Sequence, residues 1–321
     1  MRAVVYHGPR DVRVEEVPEP KPKEGEVLVR FMAGSLCGTD LHFYRGDWKT
    51  VKGRIIGHDA SGEVVETGLR VAVEPILHCG RCPLCLSGRY NLCQEGAYMG
   101  MSAQGCFADL IAVPERNLHA IPENVSYEEA AILEPVALAL HTFNLLTPRI
   151  GNWAVILGQG PIGLAMTQVA RLSGCRVIAV DVNDFRLEVA ERFGAEFTVN
   201  PKKEDLRKRV LSLTKHGADL VVEAAGQRKT VEQAAGLVGP AGKVALVGTF
   251  SGFVRFGGEA AFFNVEGGPG KYPLALELIS RSLVDVRSLI THVFPLEEFQ
   301  EAVETALNEP KKPLKVLLKP S

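Results

Sequence analysis

The stretch Trp153-Ala-Val-Ile-Leu157, running into Gly158-Gln-Gly160-Pro161-Ile162-Gly163, decides the fold. Five apolar residues that end on a glycine cluster read as a buried strand, and the apolar periodicity from Ile162 to Ser173 reads as a helix. A G-x-G-x-x-G by itself is a weak signal in a glycine-rich chain. Here it follows a strand, opens a helix and is followed eighteen residues after Gly163 by Asp181, at the end of the next apolar run, Arg176 to Asp181. The glycines permit a tight turn and close backbone approach, and a helix N-terminus favours an anion such as a pyrophosphate.

Working outward, strand and helix signals keep alternating through Phe185 to Gly194, Asp219 to Glu223, Thr230 to Leu237, Lys243 to Val247 and Tyr272 to Ser282, to an apolar run at Asp285 to Ile290. Six strands of this kind make a complete doubly wound Rossmann sheet. Gly158, Gly160, Pro161, Ile162 and Gly163 are the candidate pyrophosphate turn, with Ala225, Val247 and Gly248 at later strand ends. Asp181 can accept hydrogen bonds from the adenosine ribose and repels a 2′-phosphate, which favours NAD over NADP. Arg186, one helical turn on, could soften that preference, although a solvated helix residue is the simpler reading.

The N-terminal part differs in kind. From Val4 to Leu118 short β-rich runs, such as Glu26 to Phe31 and Gly62 to Glu66, are separated by Gly, Pro and Asp clusters. Met1 to Val17 alternates apolar and charged residues and reads as a strand. After Thr291 come a turn, a helix from Leu296 to Asn308 and a closing strand from Lys315 to Lys319, expected to pack back on the first domain. The expected fold class is therefore α/β, with a β-rich domain over 1–141 and 291–321 and the doubly wound domain over 142–290.

Bulk numbers bound the function. The 321 residues suffice for two cores, and 46% hydrophobic and 23% charged residues are ordinary for a soluble protein. With 36 Lys and Arg against 38 Asp and Glu there is no basic footprint for nucleic acid. The most apolar stretch, Ala130 to Phe143, is interrupted by Glu134, Pro135 and His141, so no membrane span is expected. No signal-peptide core precedes the first strand, which points to the cytoplasm. Of seven cysteines, four lie between Cys79 and Cys93, which in a reducing compartment points to metal.

Cys79-Gly-Arg-Cys82-Pro-Leu-Cys85, completed by Cys93, can surround one tetrahedral ion, and an all-thiolate site is closed to chemistry. The rival reading is an iron–sulfur cluster, but the bacterial ferredoxin run leaves about three residues before its fourth cysteine. Here the gap is seven. A second constellation is spread over Cys37-Gly-Thr39-Asp40-Leu41-His42, Gly57-His58-Asp59 and Leu133-Glu134-Pro135. A catalytic zinc takes three protein ligands and leaves one position open, and Cys37, His58 and one carboxylate would supply such a set. Each piece taken alone also fits a packed core residue.

Taken together, CGTDLH, GHD, the four-cysteine lobe, LEP, GQGPIG, VEAAG and ITHVFPLEEF resemble the zinc-containing medium-chain dehydrogenases, and within them the sorbitol (polyol) dehydrogenase branch. The resemblance covers essentially the whole chain. It implies a GroES-like catalytic domain, two zinc ions per chain, NAD and a small alcohol or polyol substrate. It also implies Cys37 and His58 as catalytic zinc ligands, Glu134 bound to that zinc directly or through its water, and Thr39 and His42 as a proton relay. Homodimers or homotetramers are the implied assembly.

Asp59 stands where the family usually has glutamate and is one methylene shorter, so its reach toward a metal is less. The chain is short after Gly68 and between Phe250 and Gly270. Threonine dehydrogenases resemble it too but usually carry aspartate where Glu134 stands, and the metal-free quinone reductases lack both ligand sets. A non-catalytic NAD-binding zinc protein is the reading from another class, and it needs only the lobe's zinc. Phe43, Tyr44 and Arg45 are candidates to line the pocket, with a surface loop the alternative. Sorbitol, xylitol, a butanediol, an inositol and a sugar acid all remain open as substrates.

Overall fold

A computed structural model describes residues 1–248, 260–309 and 313–320. The chain divides into two compact units, Met1–Glu134 with Tyr272–Ser321, and Pro135–Lys271. The sequence places the seams at 141/142 and 290/291; the structure places them earlier. The Tyr272–Ser280 helix belongs with the first unit because Ser280 exchanges two hydrogen bonds of 2.7 Å with Asn124. The Tyr272 ring also lies 5.2 Å from that of His119.

The second unit is a six-stranded sheet in the order Phe197–Val199, Arg176–Val180, Trp153–Leu157, Ala218–Glu223, Val238–Leu246, Ala261–Asn264. Every neighbouring pair is parallel. Counted along the chain within this sheet, the order is 3-2-1-4-5-6, the doubly wound arrangement with its switch point beside the first strand. The central strands read as continuous apolar runs because both faces are covered. Val155, Ile156, Leu157 and Ile178 are at most 1% exposed. Each such side chain contributes roughly 1.5–3 kcal/mol relative to exposure.

The sixth strand is Ala261–Asn264 and not the Asp285 to Ile290 run. Within that run Arg287–Leu289 forms a 3-10 turn, and Ile290–Pro295 is a strand of the other unit where a turn was expected. The Leu206–Thr214 helix, capped by Asp205, was not singled out in the sequence.

In the first unit the alternation of Met1 to Val17 belongs to two strands. The chain turns at Arg10 (φ 57°) and pairs Arg2–Gly8 antiparallel with Asp11–Glu16, Val4 facing Val14. A seven-stranded sheet runs Leu118–Ala120, Arg70–Val73, Asp59–Val64, Glu26–Ser35, Lys315–Lys319, Ile290–Pro295, with Leu110–Pro114 paired to the first half of Glu26–Ser35. Lys315–Lys319 thus packs back on the first unit, antiparallel to Glu26–Ser35 and parallel to Ile290–Pro295. The core beneath is apolar, with Phe31, Phe107 and Phe299 at 1% exposure or less. The short segment after Gly68 is a tight hairpin: Gly68 donates to the Val64 carbonyl and Val64 to that of Leu69. Of the short segment between Phe250 and Gly270, residues up to 259 lie outside the described residues.

Candidate metal centres and nucleotide turn

The four-cysteine lobe is drawn together by its own backbone. The Cys82 and Cys85 amides donate to the sulfurs of Cys79 and Cys82, and the Cys79 amide donates to Cys93 Sγ. All four Sγ atoms lie within 4.8 Å of one another, with separations of 3.8 Å (Cys79–Cys85), 3.4 Å (Cys82–Cys85) and 4.0 Å (Cys82–Cys93). Four sulfurs about 2.3 Å from a tetrahedral zinc stand about 3.8 Å apart, so the lobe fits the ion. Amide hydrogen bonds, that of Arg81 foremost, bring the Cys79 thiol down to about 6. Burial, then its thiol neighbours, pushes Cys85 up to about 12.

The second constellation is assembled within the first unit. Cys37 ends the Glu26–Ser35 strand's run-out and is the N-cap of the Gly38–Arg45 helix, its amide donating to Asp40 Oδ2 at 2.9 Å. His58 follows Gly57, whose φ of +89° and contact with the Phe107 ring, 2.4 Å from where a Cβ would stand, admit no side chain. That turn sends His58 inward, where it is 3% exposed. Burial alone would depress the imidazole, but Cys37, by charge and hydrogen bond, together with Asp59 and Asp40, raises it to about 10. Glu134 sits in the first turn of the Leu133–Leu146 helix. Burial, then the charge of Asp59, lifts its carboxyl to about 7.

Asp59 is otherwise engaged. Its Oδ2 accepts from Lys315 Nζ (2.9 Å) and Ser35 Oγ (2.8 Å), and the same Nζ donates to Ser35 Oγ at 2.8 Å. Its Oδ1 is buried without a hydrogen-bond partner, 3.7 Å from His58 Nε2. Among the described residues only the lobe gathers three or more candidate ligand atoms within 4.8 Å, so Cys37, His58, Asp59 and Glu134 are neighbours that do not close to that spacing. The donor set still suits a dication. Among the described residues, the buried carboxyl groups of Asp40, Asp59 and Glu134 lie close enough to His58 and to one another to shift each other, Lys315 is already bound to Asp59, and buried carboxylates are costly unless compensated.

Thr39 and His42 lie on the same helix, with Thr39 Oγ1 3.9 Å from the Cys37 sulfur. His42 is oriented from both sides, by Asp47 Oδ2 at 2.9 Å from its Nδ1 and by stacking on Trp48 with centroids 4.6 Å apart. Phe43 and Tyr44 do not line a pocket. Phe43 packs on Tyr6 and Trp48, Tyr44 donates to Glu304, and Arg45 is exposed beside Asp47.

In the second unit the GQGPIG turn is shaped for a close ligand. A Cβ on Gly163 would stand 1.8 Å from the Gly158 carbonyl oxygen, which fixes the helix against the strand end, whereas one on Gly160 would meet nothing nearer than Arg186 at 3.9 Å. The Pro161–Leu172 helix has no side-chain cap, so its first amides face that open space. The Asp181 carboxylate accepts from the Gln159 and Asn183 amides at 2.7 and 2.9 Å. Arg186 is not a freely solvated residue. Its Nη1 lies 3.9 Å from Asp181, and its Nε is buried without a partner.

Glu223 was missed in the sequence. Its carboxylate accepts from the Ala225 and Gly226 amides and from Thr230, and its carbonyl accepts from Val247 and Gly248. It thereby sets Ala225, which lies within 3.0 Å of where a Gly158 Cβ would stand. An acid at a strand end before two alanines and a glycine was the available signal. Lys315 and Ser35 had none.

Comparison with known proteins gives the family. Residues 161–281 match the family described as zinc-binding dehydrogenase, and residues 23–123 match the alcohol dehydrogenase GroES-like domain. Sorbitol dehydrogenase of Bacillus subtilis is 32% identical over 100% of this chain and 98% of its own length. The chain belongs to the zinc-containing medium-chain alcohol dehydrogenases. Within that family it sits with the sorbitol dehydrogenase-like branch. L-threonine 3-dehydrogenase of Pyrococcus furiosus is 35% identical over 90% of each chain. An Escherichia coli alcohol dehydrogenase solved with NADH superposes with a TM-score of 0.91, at 29% identity over 99% of each chain. No helix among the described residues of this dehydrogenase is long and apolar enough to cross a membrane.

Proposed function

We propose that this chain is a zinc-dependent, NAD-linked dehydrogenase that oxidises a polyol or secondary alcohol to the ketone. The observation that carries the reading is the half-buried Cys37 thiol hydrogen-bonded to the buried His58, with the buried Glu134 acting on that imidazole by charge. Cys37 and His58 would hold a zinc ion, with Glu134 as the third donor, directly or through water. Asp59, tied to Lys315, steadies His58 by charge. When bound, zinc supplies Lewis acidity, which lowers the pKa of a water from about 15.7 to about 7 or about 12 kcal/mol, and NAD supplies the hydride acceptor.

The chain's own residues handle the proton. Thr39 Oγ1 takes it from the substrate hydroxyl and passes its own to His42, which Asp47 and Trp48 hold at the surface. General-base help of this kind contributes about 3 to 5 kcal/mol, less than the metal. Asp181, held by two backbone amides, would accept the ribose hydroxyls and favour NAD, while Arg186, 3.9 Å from it, would soften that preference. A threonine-type substrate is the second reading, supported by the Pyrococcus relative and opposed by Glu134.

The test is zinc content and turnover together. Two zinc ions per chain and NADH formation from polyols or secondary alcohols are expected. Cys37→Ala should lose one zinc and all turnover while still binding NADH. One zinc in the wild type, at the lobe, would favour a non-catalytic NAD-binding protein, and unchanged turnover in Cys37→Ala would remove the mechanism.

A further inference from the structure

Glu223 is a buried acid of the second unit that the proposed chemistry leaves unused. It ends the fourth strand of the parallel sheet, Ala218–Glu223, and is 0% exposed. Its Oε1 accepts from the Ala225 and Gly226 amides at 2.9 and 3.0 Å and from Thr230 Oγ1 at 2.6 Å. Its Oε2 is buried without a hydrogen-bond partner and faces Gly248, just past the fifth strand, 2.7 Å from where a Cβ on that glycine would stand.

Three donors on one oxygen are the pattern of a carboxylate, because a protonated acid would have to carry its hydrogen on Oε2, where no acceptor stands. Burial pushes the carboxyl above its ordinary value, while Thr230 and the amides of Ala225, Gly226 and Gln227 draw it down. All four are neutral, so no opposite charge is among the groups that act on it most strongly. A buried carboxylate without a cation is costly, and a cation brought near it is correspondingly favoured.

The position of the residue gives that charge a use. With the strand order 3-2-1-4-5-6, a dinucleotide lies across the carboxyl ends at the switch between the first and fourth strands, one mononucleotide half to each side. Asp181 on the adenosine side would leave the nicotinamide half to the loops after the fourth and fifth strands. Glu223 ties those loops together, its carboxylate holding Ala225 and Gly226 and its carbonyl holding Val247 and Gly248. Ala225 also lies within 3.0 Å of where a Gly158 Cβ would stand, so the first of these loops borders the glycine turn.

We propose that the Glu223 carboxylate tells the two redox forms of the cofactor apart by charge: it strengthens the hold on NAD⁺, whose nicotinamide ring is a cation, relative to NADH, whose ring is neutral once it has taken up hydride. This rests on the reading of the second unit as an NAD-binding domain. The charge acts through buried protein, where salt screens it little, and it needs no contact with the ring. Its effect is to favour oxidation of the alcohol and release of the reduced cofactor.

The experiment uses the full zinc-loaded chain with Glu223→Gln, which keeps the shape and an acceptor oxygen, and Glu223→Asp, which keeps the charge. Dissociation constants of NAD⁺, NADH and ADP-ribose, which lacks the nicotinamide, are measured by calorimetry at one pH. The ratio of the NAD⁺ constant to the NADH constant should rise about tenfold in Glu223→Gln, equivalent to about 1.4 kcal/mol, with ADP-ribose following NADH. In Glu223→Asp the ratio should stay within about twofold of wild type, even where all three affinities fall together. A Glu223→Gln ratio within about twofold of wild type would show a purely structural role and overturn the proposal while leaving the dehydrogenase reading standing. So would a Glu223→Asp ratio that moves as far as that of Glu223→Gln. A wild type that binds neither NAD⁺ nor NADH would overturn both.

Discussion

Replacing Lys315 by Met should expose how much of the first unit rests on one ion pair buried behind His58. Lys315 Nζ and Asp59 Oδ2 are 2.9 Å apart, and both residues are 3% exposed. At an effective dielectric constant of about 20 their attraction is about 6 kcal/mol, most of which offsets the desolvation of the two charges. The net value of the pair is therefore small. Removing one partner is different, because it strands a charge: Lys315→Met should destabilise by about 3–5 kcal/mol, and Asp59→Asn by a comparable amount. The double variant should cost less than the sum by at least about 2 kcal/mol. Calorimetric or urea unfolding at fixed saturating zinc measures all three. Single-variant costs that add to within about 0.5 kcal/mol would refute the reasoning.

The pH dependence has a definite sign. Burial pushes the Asp59 carboxyl up, but Lys315, His58 and Ser35 outweigh it and hold it below its ordinary value. Its contribution is thus complete above the ordinary carboxylate pKa of about 3.9 and is lost as pH falls through the lowered one. Lys315, depressed by burial but raised further by Asp59 and Cys37, lies above its ordinary value. Its contribution is complete below about 10.4 and fades as pH rises through the raised value. Between those limits neither member of the pair titrates, so a change with pH in the difference between wild type and double variant reports Glu134 and His58, whose carboxyl and imidazole the Asp59 charge raises.

Thr39→Val should lower turnover by roughly 10²-fold or more with zinc retained, while Thr39→Ser stays within a fewfold; equal effects would count against a hydroxyl relay. Asp181→Ser should raise the kcat/KM ratio of NADP to NAD by about tenfold, or about 1.4 kcal/mol, and an unmoved ratio would mean that another group reads the ribose.

What could be read from the sequence follows the range of the interactions concerned. The GQGPIG turn, the helices around it and the four-cysteine lobe are local: their residues lie within one turn or one loop of each other, so spacing carries the geometry. The closing strand Lys315–Lys319 was legible from its apolar run, but its partner was not a matter of spacing. The bond from Lys315 to Asp59 spans 256 residues, and no periodicity announces it. The same holds for Ser35 against Asp59, 24 residues apart. Where local pattern misled, a competing local rule explains it. Alternation through Met1 to Val17 is the same for one long strand as for a hairpin, and only the turn at Arg10 separates them. The Asp285 to Ile290 run is apolar enough for a sheet, yet the strand that follows pairs with Lys315–Lys319 and closes the other unit.

The discontinuity of the first unit bears on how the molecule comes into being. A ribosome delivers Pro135–Lys271 whole, so the parallel sheet can form while synthesis continues. The 1–134 segment must wait, with its sheet open along Gly34 and Ser35, until the residues that supply Lys315 emerge. During that interval the Asp59 carboxylate has no lysine, and the lobe can take up its ion before the neighbouring pocket exists. Metal loading of the two centres should therefore be separable in time during biosynthesis.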